Sequence, residues 1–196
     1  MYNWRKMKLR NFILIAIVFI WGCGGSTIRY INPSANFSYI KRVAILPFNN
    51  LGDDRYAGER VRSAFTIDLM SREVFEVVEQ GEVTKALGGI FREAGVEEGR
   101  AVPVDKETLK LIGEKLSIQA VVLGSVDEYP SSGSGGESKI VSISVRMLDT
   151  SSGIILWQAK ATKTSRSVVR RLIGVEEVDR SELTKDAVKS ALDTLL

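Results

Sequence analysis

Hydrophobic and polar residues alternate along the second half of the chain, and the alternation predicts paired strands. Residues 139–149 place Val141 and Ile143 on one side and mostly serines on the other. A period of two is typical of a strand with one solvated face. Residues 155–161 alternate in the same way after a short Ser-Ser-Gly turn. The two segments therefore predict an antiparallel hairpin.

Three other segments, residues 43–48, 74–78 and 118–129, are rich in apolar residues and are predicted to be strands. Residues 43–48 form a compact apolar run, which is typical of a strand that is buried on both faces. With the hairpin, they bring the predicted number of strands to five.

Apolar residues three and four positions apart predict four helices between and after these strands. Aspartates before three of them are suited to accept hydrogen bonds from the first free N–H groups. The predicted helices are 56–72 after an N-cap at Asp53 or Asp54, 80–87 closed by Gly88 and Gly89, one after the cap Asp105, and one after a capping box of Asp179 and Glu182.

The order of these elements predicts an α/β fold. We expect a single mixed sheet of about five strands with helices packed on it, including the antiparallel hairpin and a C-terminal helix. The globular domain is expected to span residues 41–196.

The first 22 residues have the pattern of a secretory signal peptide. Four basic residues and no acid precede the apolar run 12–21, and Gly22 stands before Cys23, the only cysteine. The run is short for a membrane-spanning helix, which needs about 20 apolar residues, although a plain anchor or a plain secretory signal remains an alternative. A cysteine directly after the cut resembles the signal of a bacterial lipoprotein. The resemblance implies a lipid on Cys23 and residues 23–40 as a lipidated tether.

The residue after the cysteine indicates in which membrane such a lipoprotein is retained. Gly24 stands where an aspartate would, by the sorting rule of these lipoproteins, retain the protein in the inner membrane. The resemblance therefore implies the outer membrane, on its periplasmic face.

The composition argues against several classes of function. The four basic residues of the signal account for more than the net charge of +3, so the chain without them is close to neutral and has no bulk attraction for nucleic acid. The sequence contains no histidine, which is the commonest general base and metal ligand. We expect no metal site, no cofactor and no enzymatic activity.

Four local motifs have both a functional and a structural interpretation, and the structural one is favoured for each. The four are the acids Asp53, Asp54 and Glu59 (cation site or helix-terminal charge), the Gly-rich stretch 131–136 (phosphate loop or hairpin tip), the arginines Arg166, Arg170 and Arg171 (lipid contact or solvated face), and Trp157 (interface anchor or core). Separately, Asp149 is expected to hydrogen-bond its own turn.

Three stretches resemble a known family. They are 43–51 (VAILPFNNL), 111–126 (LIGEKLSIQAVVLGSV) and 145–157 (VRMLDTSSGIILW). They are similar to the envelope domain shared by the curli secretion lipoprotein CsgG, the penicillin-binding-protein activator LpoB and the N-terminal domain of TolB. The resemblance implies a compact periplasmic α/β domain that binds proteins or assembles, and does not catalyse.

The leading hypothesis is therefore a non-enzymatic outer-membrane lipoprotein. Its expected partners are the membrane, through the lipid on Cys23, and proteins of envelope assembly or secretion, with a homo-oligomer as a further option. Two alternatives stay open: a subunit of an oligomeric CsgG-like secretion channel, and a carboxylate-dependent cell-wall enzyme.

Overall fold

The structure is a computed structural model, which describes residues 25–93, 104–130, 139–165 and 179–195. These residues form one mixed sheet of seven strands with four helices, which confirms the predicted α/β class. The strands are β1 (Gly25–Ile31), β2 (Arg42–Ile45), β3 (Asn49–Asn50), β4 (Glu76–Val77), β5 (Ala120–Glu128), β6 (Ile140–Asp149) and β7 (Ile155–Thr164), and the helices are α1 (Ala57–Ser71), α2 (Gln80–Glu93), α3 (Lys106–Leu116) and α4 (Arg180–Leu192).

The strands lie in the order β1-β7-β6-β5-β2-β4, and β3 pairs with β5 beyond the end of β2. Strand β6 is antiparallel to β5, β7 to β6, and β1 to β7. Strands β2 and β3 run parallel to β5, and β4 runs parallel to β2. The predicted hairpin is confirmed as β6 and β7, with Met147 opposite Trp157. Two strands exceed the predicted five: β3, which follows Pro47, and β1.

Strand β1 lies inside the segment that the sequence predicted to be a tether. It pairs antiparallel with β7 along its whole length, from Gly25 opposite Lys163 to Ile31 opposite Trp157. The sheet thus begins well before the boundary predicted at residue 41. A partner more than 100 positions away cannot be found from local alternation, and the glycines before β1 resemble those of a flexible linker.

Residues 32–41, here called the strap, connect β1 to β2 across the ends of β7, β6 and β5. The Asn32 N–H donates to the Leu156 carbonyl at 3.0 Å, and the Tyr39 hydroxyl donates to Asp149 at 2.5 Å. At the far end, the Lys41 N–H donates to the Gln119 side chain at 2.9 Å. The strap therefore fixes both strands that it joins.

Helix α2 extends beyond its predicted end. It continues through Gly88 and Gly89 to Glu93, and buries Ile90 while Phe91 packs on the same core. A helical glycine costs about 1 kcal/mol, and burying one large apolar side chain returns about 1.5–3 kcal/mol. Tertiary burial thus outweighs the local tendency of the glycines to end the helix.

The predicted N-cap residues are correct for two helices and wrong for one, and the contacts of the capping box predicted for Asp179 and Glu182 are not seen among the described residues. Asp105 caps α3 by accepting from the Thr108 N–H at 2.8 Å, and Asp179 caps α4 by accepting from the Arg180 N–H at 2.7 Å. Helix α1 instead has Tyr56 at its N-cap position and no side-chain cap. Asp54 accepts from the Tyr56 N–H at 2.9 Å, which makes a turn before the helix rather than a cap.

The two faces of the sheet are covered unequally. Helices α1 and α4 cover one face and bury the larger core, which contains Phe65 and Trp157. Both side chains are fully buried, so the core interpretation of Trp157 is confirmed. Helices α2 and α3 cover the other face mainly over β2 and β5, where Ala44 and Val121 lie in a second core. None of the helices in the described residues is both long and apolar enough to cross a bilayer.

Candidate functional site

Several residues singled out in the sequence lie outside the part of the chain that the structure describes. They are Cys23 with the signal peptide 1–22, the Gly-rich stretch 131–136, and the arginines Arg166, Arg170 and Arg171. The predicted lipidation of Cys23 stays a prediction.

In the acidic cluster of Asp53, Asp54 and Glu59, the carboxylate of Asp54 is paired with two arginines. Asp54 forms ion pairs with Arg60 at 2.8 Å and with Arg180 at 3.4 Å. The hydrogen bond from the Tyr56 N–H, followed by the charge of Arg60, lowers the pKa of Asp54 against the effect of burial. Among the described residues, no group of three or more Cys, Asp or Glu is placed to hold a metal ion. The carboxylate of Asp54 therefore links the loop before α1 to helices α1 and α4.

Asp149 is a buried acid in the turn between β6 and β7. It accepts from the hydroxyls of Ser151 and Ser152 at 2.6 Å, which confirms its predicted role in its own turn. Burial opposes its ionisation, but these hydrogen bonds and the one from Tyr39 lower the pKa of Asp149 to about 2. Burial, then the bond to Asp149 and its charge, raise the pKa of Tyr39 to about 12. This contact joins residues 110 positions apart, and no local pattern predicts it.

Strand β1 is the most exposed element of the sheet. All seven of its residues are exposed, and three of them are large and apolar: Ile28 is 69% exposed, Tyr30 is 50% and Ile31 is 41%. Within the described residues its only strand neighbour is β7, so the other side of its backbone is a free sheet edge. A free edge with apolar side chains is a template for pairing with another chain.

The sheet face that α2 and α3 leave uncovered is polar along β6 and β7 and carries the apolar Ile28 and Tyr30 along β1, and we call it the open face. It is formed by alternate residues of β6, β7 and β1, and its side chains bond to one another. Ser142 and Thr162 share a hydrogen bond of 3.0 Å, and Lys160 pairs with Asp127 at 2.9 Å. Burial raises the pKa of Asp127, but the bonds from Lys160 and Ser144 and a third from a serine of β5 lower it overall.

A groove of about 840 Å³ lies where the helices α2 and α3 meet the open face. Its helical side is apolar and includes Leu87 and Phe91, while its strand side includes Arg146 and Gln158. No acidic residue lines it in the described part of the chain. The groove thus offers an apolar wall and a basic, hydrogen-bonding wall, but no pair of facing carboxylates for acid–base chemistry.

Neither the edge strand β1 nor the groove was predicted from the sequence. Strand β1 was assigned to the tether, and the groove is assembled from six segments that are separate in sequence. Ile28 and Tyr30 do alternate with polar residues, which is the one local signal that could have indicated a strand.

Comparison with known proteins identifies relatives by fold alone. No protein-family model matches the sequence, and no curated protein matches it. Among solved structures, a PelC variant from Paraburkholderia phytofirmans, a dodecamer, is similar with a TM-score of 0.59 and 16% identity, over 87% of this chain and 97% of the PelC chain. Lipoprotein GNA1162 from Neisseria meningitidis is similar with a TM-score of 0.52 and 17% identity, over 79% of this chain and 97% of that one.

The C-terminal domain of LpoB from Escherichia coli also matches, with 11% identity over 66% of this chain and 87% of that domain. Its TM-score of 0.48 is too low to carry an argument. The chain thus has a fold that is also found in an envelope lipoprotein, which is the coarser part of the predicted resemblance. The finer similarity to CsgG and TolB stays a prediction.

Proposed function

We propose that this protein is a lipid-anchored lipoprotein of the bacterial envelope that acts by protein–protein contact and not by catalysis. The observation that carries the proposal is strand β1, which presents a free backbone edge and three exposed apolar side chains. Isolated exposed apolar residues are common on protein surfaces, but Ile28 and Tyr30 lie two positions apart on one face of the edge strand, beside its free backbone. We propose β1 as the contact surface.

The partner that we propose for this surface is a second copy of the chain. An exposed edge strand binds another strand through main-chain hydrogen bonds, while its side chains provide specificity. The similarity to PelC supports this choice, since that protein was solved as a dodecamer. A heterologous contact of this kind closes into a ring when its rotation permits.

The anchor in this proposal is the acylated Cys23. Strand β1 begins two residues later, at Gly25, and two extended residues span at most about 7 Å. One acyl chain gives only marginal membrane binding, and two or more give stable anchoring. Gly24 supports an outer-membrane location on the periplasmic face. This arrangement would hold the edge strand close to the bilayer, where neighbouring copies are concentrated in two dimensions.

Two other functions differ from this one in what they require. A CsgG-like secretion channel needs the same self-assembly and, in addition, a pore through the membrane; the resemblance of residues 43–51 and 145–157 to that family supports it. A carboxylate-dependent cell-wall enzyme needs two facing acids in a cleft. The buried acid Asp149 is bonded to its own turn and to Tyr39, which favours the contact function.

Native mass measurement of the full-length protein, extracted from membranes in mild detergent, tests the contact surface. We expect an oligomer that Ile28→Glu dissociates, because a charge on the edge strand opposes strand pairing. Ile67→Glu is the matched control, since Ile67 on α1 is 67% exposed but lies far from the edge in the fold. A wild-type monomer at all concentrations, or equal effects of the two variants, would contradict the proposal.

Substitution of the cysteine tests the anchor separately. Cys23→Ser is expected to abolish acylation, to leave the precursor uncleaved and to change its mass. An unchanged mature mass, with normal sedimentation in the envelope fraction, would overturn the lipid anchor but not the role of β1. Gly24→Asp is the finer test, since it is expected to move the protein to the inner membrane.

A further inference from the structure

The groove between the two helices and the open face has the size of a small-molecule site. Its volume of about 840 Å³ lies within the roughly 300–1,000 Å³ of ligand pockets. Phe91, Val104 and Leu123 are partly buried and pack on the second core, so each keeps apolar surface exposed toward the groove. An extended apolar ligand on this wall would remove that surface from water.

The strand side of the groove has one basic group that the described residues do not neutralise. Arg146 is exposed and forms no hydrogen bond or ion pair with any described residue. Asp127, an acid on the same face, is already bonded to Lys160 at 2.9 Å and to Ser144 at 2.7 Å. The charge of Arg146 therefore stays available to a ligand. Its cross-strand neighbour Gln158 adds a neutral amide.

We propose that this groove binds a single-chain carboxylate amphiphile, that is, a fatty-acid anion. Its alkyl chain would lie along the apolar wall and its carboxylate would receive the hydrogen bonds of Arg146 and Gln158. A guanidinium binds a carboxylate through two parallel N–H···O bonds. The inference does not rest on the proposed contact function, since no residue of β1 lines the groove, although Tyr30 of β1 pairs with Gln158.

Other ligand classes match the groove less well. A neutral apolar ligand leaves the guanidinium unpaired, and a cationic amphiphile is repelled by it. A phosphate monoester carries about −1.5 to −2 charges, whereas one free arginine is present and Lys160 is taken by Asp127. A peptide would leave backbone N–H and C=O groups unpaired against helical side chains, which costs free energy.

Photolabelling of the full-length lipidated protein in nanodiscs tests the proposal. The probe is a diazirine-bearing dodecanoate, and its matched counterpart carries a trimethylammonium head on the same chain. We expect the dodecanoate to label peptides that contain Phe91, Val104 or Leu123, with unlabelled dodecanoate as competitor. The cationic probe should label them at least about tenfold less.

Two arginine variants decide the role of the head group. Arg146→Gln should reduce labelling by the dodecanoate about tenfold, the loss of one charge-assisted contact. Arg29→Gln is the control, because Arg29 is exposed on the opposite side of the sheet in β1. Equal labelling of both variants, equal labelling by the cationic probe, or labelling outside the groove would overturn the proposal. Circular dichroism of each variant verifies that the fold is kept.

Discussion

The two faces of the sheet differ in what they contribute to the protein. The face under α1 and α4 buries Phe65 and Trp157 completely, and we call it the covered face. On the open face, Ser142 bonds to Thr162, Ser144 and Lys160 bond to Asp127, and Arg146 has no partner among the described residues. Apolar burial stabilises the fold, whereas surface polar pairs contribute little. Stability is therefore expected to depend on the covered face, and binding on the open face and its edge.

Removal of the central aromatic side chain should have the largest effect. Trp157→Ala deletes a fully buried ring and the hydrogen bond from its Nε1 to the Thr194 hydroxyl at 3.0 Å. We expect a loss of about 3–5 kcal/mol in the free energy of unfolding, measured by urea denaturation. Gln158→Ala, the next residue but on the open face, should change it by less than about 0.5 kcal/mol. Similar losses for both variants would remove the distinction between the faces.

Overpacking tests how tightly the covered face is filled. A β-carbon at Gly124 would lie 2.5 Å from the ring of Phe48, so Gly124→Ala should cost about 1–3 kcal/mol. Gly88→Ala is the control, since a β-carbon there meets nothing within 4 Å and alanine favours a helix. That variant should gain about 0.5–1 kcal/mol. Thermal unfolding of the two variants should shift in opposite directions, and a shared direction would contradict the packing argument.

Acid should weaken the hydrogen bond by which Tyr39 of the strap is joined to Asp149 of the sheet. The pKa of Asp149 is lowered from 3.8 to about 2, so its contribution of about 2 kcal/mol is complete above about pH 4 and is lost as the pH falls from 4 to 2. The pKa of Tyr39 is raised from 10 to about 12, so its contribution is lost as the pH rises from 10 to 12.

Urea denaturation between pH 2 and 7 measures the acid effect, and the same measurement between pH 7 and 12 measures the alkaline effect. Asp149→Asn should flatten the decline of stability below pH 4, and Tyr39→Phe should flatten the loss above pH 10. Asp186→Asn, at an exposed position on α4, is expected to leave the acid decline as it is in the wild type. An unchanged pH profile in Asp149→Asn would show that the ionised Asp149 carboxylate and its hydrogen bonds contribute nothing to stability.

The smallest effect is expected on the open face. Lys160→Gln removes the ion pair with Asp127, in which the lysine side chain is about half exposed. Exposed pairs contribute from about 0 to 1 kcal/mol, and salt screens them. The loss in unfolding free energy should therefore stay below about 1 kcal/mol and shrink in 1 M salt. Lys185→Gln, on the surface of α4, provides the baseline, and a cost above 2 kcal/mol for Lys160→Gln would show that the open face is part of the stabilising core.

Local rules predicted most of the individual elements. The alternation in residues 139–149 and 155–161 identified the hairpin, and Asp105 and Asp179 marked the starts of two helices. The end predicted for α2 at Gly88 was wrong because burial of Ile90 overrides the glycine preference. The sequence did not predict the candidate site, since the alternation of Ile28 and Tyr30 is too short to identify an edge strand and the groove has no local signal of its own.

By itself, the sequence determined the α/β class, the hairpin and most caps, because each depends on residues within a few positions of one another. Only the tertiary structure decided that residues 25–31 form an edge strand, that Tyr39 bonds Asp149, and that Arg146 faces an apolar wall. These three facts depend on segments that are tens to more than a hundred positions apart. Their pairing is set by how the chain shares one sheet, and no short pattern encodes that choice.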